Sequence, residues 1–478
     1  MLGAVFLALT GVYSPRIDTV DCTRFSKLAS GVQAECGYLR VPEDRSVATS
    51  REIGVPFAIV HNVNKRSDDP VVFMTGGPGG RAIPHTINPV DPSFAGRDVI
   101  FFEQRGTELA DPPLQCPGYA EEKQRAQRGE IRGADLARGL VQIGARCAAK
   151  ARQSGIRLSG YTTAAIVTDL EDFRALRGYA QINLVGLSYS GKVVSEYARD
   201  YPGHTRAVVA NTPLPLEANY DEQAESEMRR SLDLVIVGCE RTPSCDDAHP
   251  QLALKFREIV ERARRQPWQI EVPNPGQQDR RRSVLVTDWV VADALLDQLY
   301  SPSTFATLPA RIDAIWSGNR KALASIVDIG KSSYSWLMRL SLWCNEEVPF
   351  ESISKMTADL SAYPEFGGVD QETVPIGLCK AAGFASHPPP AENQPVTSSV
   401  PFLIFSGELD PATQPVLHRS MVRTLPNATL VLFPWGAHGA GFNRCGGSLI
   451  QRFLGDPRAK LDTSCAAAQA APDFSMAL

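Results

Sequence analysis

INLVGLSYSGKVV, residues 182–194, decides the fold. It opens as a short apolar strand and then turns polar through Gly186, Ser188, Gly191 and Lys192. Two chemistries share this pattern. Gly186, Gly191 and Lys192 match the start of a phosphate-binding loop, G-x-x-x-x-G-K-[ST], which sits between a strand and a helix. Gly186, Ser188 and Ser190 nearly match a nucleophile elbow, G-x-S-x-G, with Ser188 at its centre. A phosphate loop needs Ser or Thr after its Lys to hold magnesium, and Val193 stands there. The strand FFEQRG, whose Glu103 is the best acidic candidate for the metal, lies upstream of the loop. The elbow is therefore the better reading, with Ser190 in place of the usual second Gly.

Working outward from Ser188, the remaining parts of an acyl-transfer site follow in order. A serine hydroxyl needs a histidine to take its proton and a carboxylate to orient that histidine. In this architecture the order is Ser, then Asp or Glu, then His. PFLIFSG (401–407) runs into Glu408-Leu409-Asp410, and ATLVLFP (428–434) runs into Gly436-Ala437-His438-Gly439. Each candidate lies just past the end of a strand, where α/β sheets place their ligands. Of the seven histidines, His61, His85, His204, His249, His387 and His418 lie beside loops or in helical patterns, so His438 is the candidate base. Asp410 is preferred to Glu408 because it precedes Pro411 and begins the loop. TGGPGG (75–80) follows the strand VVFM, and its glycines suit an oxyanion loop in which Gly77 and Tyr189 supply the backbone N–H donors.

VVFMTG (71–76), DVIFFEQ (98–104), INLVG (182–186), RAVVAN (206–211), PFLIFSG and ATLVLFP read as buried parallel strands. Between them, TTAAIVTDLEDFRALRGY predicts a helix with Ile166, Leu170, Phe173 and Leu176 on one face, a Thr162 or Thr163 cap and Gly178 at its stop. The alternation specifies α/β architecture. Residues 216–390 are mostly helical in pattern, with a polar interlude near VPNPGQQDRRRS and a Pro-rich end at HPPPAENQP. They predict a helical cap inserted between core segments 21–215 and 391–478.

The chain of 478 residues is 43% hydrophobic, enough for a large core, and its net charge of −4 offers no basic stripe for a nucleic-acid backbone. MLGAVFLALTGVY is shorter than the ~20 residues of a membrane span and suits the apolar part of a secretory leader, placed at 1–20. No Lys or Arg precedes the run and no clean cleavage site follows it. The ten cysteines fall as five sequence neighbours, 22/36, 116/147, 239/245, 344/379 and 445/465, the usage of an exported protein, with connectivity left open and buried thiols the alternative. No C-x-x-C or His-rich pairing suggests a metal site.

GGPGG, EQRGTELADPPLQCP, YTTAAIVTDLEDFRALRGYAQINLVGLSYSG, SGELDPATQP, PWGAHG, FLGDP and LDTSC together resemble the prolyl and tripeptidyl aminopeptidase family of α/β-hydrolases, over most of the chain outside the middle of the cap. The resemblance implies an α/β-hydrolase fold and a secreted or periplasmic serine peptidase that cuts small units from free peptide N-termini without metal or cofactor. It also implies Ser188, Asp410 and His438 as the triad. Thr75 stands where the family often has His, Glu103 where it has Asp, and Ser190 where it has Gly. LWCNEEVP is similar to a cap segment of the family with a glutamate two positions after the cysteine, which makes Glu346, with neighbouring Glu347, the expected anchor for the substrate ammonium. The acidic run EANYDEQAESE (217–227) reads as a solvated helix face, and Arg105 of EQRG as a structural link between its turn and the glycine loop. An esterase or amidase for small substrates, or a silent binding protein on the same scaffold, is the rival function.

Overall fold

The computed structural model describes residues 14–274, 277–327, 334–366 and 373–474. Its centre is a nine-stranded sheet. In chain order the strands are β1 (Arg16–Val20), β2 (Ala34–Pro42), β3 (Glu52–Val60), β4 (Val71–Met74) and β5 (Val99–Phe102). They continue with β6 (Ile182–Leu187), β7 (Thr205–Asn211), β8 (Phe402–Gly407) and β9 (Ala428–Phe433). Across the sheet they lie in the order β1-β2-β3-β5-β4-β6-β7-β8-β9. From β5 to β9 every pairing is parallel, and these are the six runs that read as strands in the sequence. Val72, Leu184, Val208 and Ile404 on one face and Val71, Val185, Val209 and Leu403 on the other are fully buried, because helices cover both faces of the parallel part.

The antiparallel edge is not evident in the sequence. Pro42, Gly54 and Pro56 interrupt β2 and β3, and such residues argue against a strand interior. Nevertheless β2 and β3 pair over nine residues each, and β3 joins β5 in antiparallel register. β1 takes residues 16–20 of the stretch assigned to the leader and pairs them with β2. Residues 1–13 of that leader lie outside the described residues.

The expected helix runs from Thr163 to Leu176, capped by Thr162, whose Oγ1 accepts the Ala165 N–H at 3.2 Å. Ile166, Leu170 and Phe173 are buried under the sheet, but Leu176 in the last turn is 43% exposed, so the apolar face ends one turn early.

Residues 212–401 connect the neighbouring strands β7 and β8, and the expected cap, 216–390, lies within them. Helices 224–240, 252–265, 288–297 and 308–316 pack a second core around Phe256, Leu295 and Ile312. The polar interlude contains a two-stranded antiparallel hairpin, Trp268–Asn274 with Gln277–Val286. Ile270, Val272, Val284 and Val286 face inward, a period of two that distinguishes this segment from its helical surroundings.

All five neighbouring cysteine pairs form disulfides, and among the described residues no cysteine is free. Among the described residues no helix is long and apolar enough to cross a membrane, and no group of three or more His, Cys, Asp or Glu could hold a metal ion.

Candidate active site

β6 ends at Leu187, and helix Ser190–Asp200 begins two residues after the turn. Ser188 occupies that turn with φ of 56°. A left-handed conformation costs a non-glycine residue about 1–2 kcal/mol and persists only where its surroundings enforce it. Here the Ser188 N–H donates to the Asn211 carbonyl at 3.1 Å, and its own carbonyl accepts from Gly191 at 2.8 Å and Leu214 at 2.9 Å. At Gly186 a Cβ would lie 2.7 Å from the Ser190 carbonyl oxygen and 2.9 Å from Val194, so only glycine lets the helix start this close to the strand. Ser190 uses its departure from the motif: its hydroxyl donates to the Thr75 carbonyl of the glycine loop. Lys192 is buried, donates to the Leu216 carbonyl at 3.2 Å and forms an ion pair with Glu347, so the lysine of the apparent phosphate motif joins the helix to the cap.

Two strands away, β8 delivers Asp410, and the next strand, β9, delivers His438. His438 Nδ1 lies 3.1 and 3.0 Å from the two Asp410 carboxylate oxygens. Glu408, the other candidate, lies with Arg419 at 3.6 Å. The fully buried Asp410 carboxylate also accepts the Ala412 N–H at 2.8 Å, the Thr413 N–H at 2.9 Å and the Thr413 hydroxyl at 2.9 Å. Burial pushes its pKa upward, but the His438 charge and these donors outweigh it and leave the group below its ordinary value. With Nδ1 held by Asp410, proton transfer by this histidine would run through Nε2. The Tyr300 ring meets the His438 ring edge-on at 5.8 Å.

Thr212, the residue after β7, joins the three turns. Its carbonyl accepts from Thr413 Oγ1 at 2.9 Å and its hydroxyl accepts the Gly439 N–H at 2.9 Å, next to Asn211, which holds Ser188. The glycine loop closes the other side: a Cβ on Gly76 would lie 2.6 Å from Ser188 Cβ and 3.0 Å from its Oγ. Among the described residues the amides of Gly77 and Tyr189 have no hydrogen-bond acceptor. Such free amides beside a serine hydroxyl are able to receive an oxyanion.

A model of the alpha/beta hydrolase fold matches residues 69–444, spanning the elbow, the cap and both later turns. The chain belongs to the α/β-hydrolase family. The hydrolase is 22% identical to the serine protease Hip1 of Mycobacterium tuberculosis over 80% of this chain and 77% of that protein. It is 25% identical to the tripeptidyl aminopeptidase of Streptomyces coelicolor over 45% of this chain and 42% of that one. Among solved structures, the proline iminopeptidase of Mycobacterium smegmatis superposes over 88% of this chain and 98% of that chain, at 14% identity and a TM-score of 0.37.

Glu346 and Glu347 of the hydrolase lie together in a short π-helical turn, Trp343–Glu347, and both are buried. Glu346 accepts the Thr163 N–H at 2.7 Å and the Thr163 hydroxyl, and that hydroxyl lies 2.7 Å from the phenol oxygen of Tyr189, the residue after the nucleophile candidate. Burial raises Glu346 to about 8, assisted by the neighbouring Glu347 charge. Glu347 faces Lys192. Arg105 does not reach the glycine loop, contrary to its expected role. It is buried against Asp169 at 2.7 and 2.8 Å and the Glu43 carbonyl at 2.6 Å, bracing helix 163–176. Its neighbours do the linking instead. Gln104 donates to the Thr75 carbonyl at 2.9 Å and accepts from Gly79 N–H at 2.9 Å, and Glu103 accepts from Ala82 at 2.9 Å and Ile83 at 2.8 Å. The only sequence signal for Gln104 was its place in EQRG, and for Thr413 its position three after an aspartate, an Asp-x-x-Thr turn.

Proposed function

We propose that this α/β-hydrolase is an exported serine aminopeptidase that releases residues or short peptides from free peptide N-termini. The observation that carries the reading is the strained Ser188 elbow at the end of β6, joined through Asn211 and Thr212 to the Asp410–His438 pair. Ser188 Oγ attacks the carbonyl carbon while His438 Nε2 takes its proton, with Asp410 holding Nδ1–H. The resulting oxyanion is received by Gly77 and Tyr189 N–H. The C–N bond then breaks, His438 returns the proton to the leaving amine, and water activated by the same nitrogen releases the acyl group from Ser188. Relatives named as a serine protease and a tripeptidyl aminopeptidase support peptides as the substrate class.

Glu346 supplies the anchor for the substrate ammonium, and Glu347, paired with Lys192, supports the turn that carries it. A buried carboxyl raised to about 8 becomes a carboxylate when a cation arrives beside it, so ammonium binding and ionisation of Glu346 are coupled. Five disulfides support export to an oxidising compartment. The test is a matched pair of chromogenic peptidyl anilides, one with a free amino group and its N-acetylated twin, with wild type and Ser188→Ala. Turnover of the free form alone, lost in Ser188→Ala, is the expected result. Equal turnover of both replaces the aminopeptidase with an esterase or amidase, and no turnover of either replaces it with a silent binding protein.

A further inference from the structure

The glycine loop is held from two directions, and one of them is the cap. Its carbonyls at Thr75, Gly77 and Gly79 accept from groups outside the loop, and the Gly76 carbonyl accepts more weakly from Gln104 Nε2 at 3.4 Å. The Thr75 carbonyl accepts from Gln104 Nε2 at 2.9 Å and from Ser190 Oγ, both on the core. The Gly77 carbonyl accepts from Arg339 Nη1, and the Gly79 carbonyl from the Ser335 N–H at 3.0 Å. Both of these donors belong to the cap segment that opens helix Trp336–Leu342. The same segment is tied down by Gln115 Nε2 to Ser335 Oγ at 3.0 Å and by Met338 N–H to the Leu114 carbonyl at 3.2 Å.

Arg339 has no exposed surface, and its guanidinium lies 4.8 Å from the centre of the Trp343 ring and 5.4 Å from that of Tyr334. A cation buried this way persists only where hydrogen bonds and π faces replace its water. Its rigid fork therefore fixes the carbonyl it holds. The Gly76–Gly77 peptide, which carries the Gly77 N–H, lies between the pinned Thr75 and Gly77 carbonyls. Gly77 has φ of 113°, and a change in that angle turns its N–H relative to the pinned Gly77 carbonyl.

Resting on the oxyanion role given above to Gly77, we propose that Arg339 is a positioning residue for the oxyanion loop, so that docking of the cap through Arg339 and Ser335 sets the direction of the Gly77 N–H. The cap is then part of the machinery that stabilises the transition state as well as a cover for the substrate. An interaction realised through the oxyanion appears in kcat and leaves KM nearly unchanged.

The test uses the full chain with its disulfides intact. It measures kcat and KM on the free-amino anilide together with the rate at which a fluorophosphonate labels Ser188, for wild type, Arg339→Met and Arg339→Lys, and for Arg339→Ala with and without methylguanidinium. Loss of one oxyanion donor costs about 10²–10³ in kcat, so Arg339→Met is expected to lose on the order of 10²-fold in kcat and in labelling, with KM within about threefold of wild type. Methylguanidinium is expected to restore part of the Arg339→Ala loss. A folded Arg339→Met that matches wild type in kcat and labelling overturns the proposal, as does a loss confined to KM, which would make Arg339 a substrate contact. If Arg339→Met does not fold by near-ultraviolet circular dichroism, Arg339→Lys decides: it keeps the charge but loses the fork, and a kcat equal to wild type overturns the assignment. Wild type that neither turns over nor labels at Ser188 overturns the underlying reading of the site and this inference with it.

Discussion

Asp410 and Glu346 are both buried carboxyls, the first tied to His438 and the second through Thr163 to Tyr189, yet their affinities for a proton move in opposite directions. Asp410 sits in the turn after β8 and collects two backbone N–H groups, a hydroxyl and a histidine. Glu346 sits on a cap turn, with one N–H, one hydroxyl and a second glutamate for a neighbour. Desolvation acts on both, so the number of donors and the sign of the nearest charge decide which group stays ionised. The core acid is thus surrounded so as to hold its charge, and the cap acid so as to hold a proton more tightly than an exposed glutamate does.

The sharpest way to break this comparison is Asp410→Asn. It keeps the shape but removes the charge and the preference for a proton on His438 Nδ1, and kcat is expected to fall about 10⁴-fold with the fold intact by circular dichroism. A loss under about tenfold would remove Asp410 from its orienting role. Next comes Glu346→Gln, expected to lower kcat/KM for the free-amino anilide about 30-fold, the scale of a hydrogen bond to a charged group, and to leave the rate of Ser188 labelling by a fluorophosphonate, which has no ammonium, unaffected. Equal losses on both would make Glu346 a structural cap of helix 163–176 only.

Thr413→Val is a smaller cut. It removes the one hydroxyl that Asp410 and the Thr212 carbonyl share, for an expected loss of about tenfold in kcat. The same variant tests the sign of the Asp410 shift. A depressed pKa contributes stability above the unfolded value that is lost as pH falls through the folded value. Removing a donor makes that contribution smaller, so Thr413→Val should lose less of its stability on acidification than wild type does.

The smallest effect concerns Glu346 and pH. Its folded pKa is raised to about 8, so its contribution to stability is fully present below the ordinary carboxyl range and lost as pH rises toward 8. Glu346→Gln should flatten that decline, narrowing the Tm difference between pH 5 and pH 8.5 by a few °C, about the effect of 1 kcal/mol or more on a chain of this size. Glu103, raised by burial to about 7, keeps part of the slope in the variant. A slope unchanged by the substitution would mean that Glu346 stays ionised in the folded chain.

Legibility in the sequence follows the distance over which a feature is made. The six parallel strands announce themselves because each is a contiguous apolar run, and Ser188, Asp410 and His438 because each stands just past the end of one. The strand pair Trp268–Asn274 and Gln277–Val286 is legible in principle, since its inward residues alternate, but the arginines, prolines and glycine of the segment dominate the composition. Arg105 pairs with Asp169 and not with the glycine loop, because a guanidinium's reach says nothing about its direction. Gln104 finds Gly79 across 25 residues and Arg339 finds Gly77 across 262, and no local pattern encodes such meetings. Ser190 and Thr75 could each be seen to depart from a motif, but only the fold makes them one contact.

The disulfides have a consequence for how such an enzyme diversifies. Cys239–Cys245 and Cys344–Cys379 lie wholly within residues 216–390, and Cys22–Cys36, Cys116–Cys147 and Cys445–Cys465 wholly outside them. No covalent bridge crosses the boundary. The segment can therefore be exchanged or recombined at two points of the chain without orphaning a single thiol.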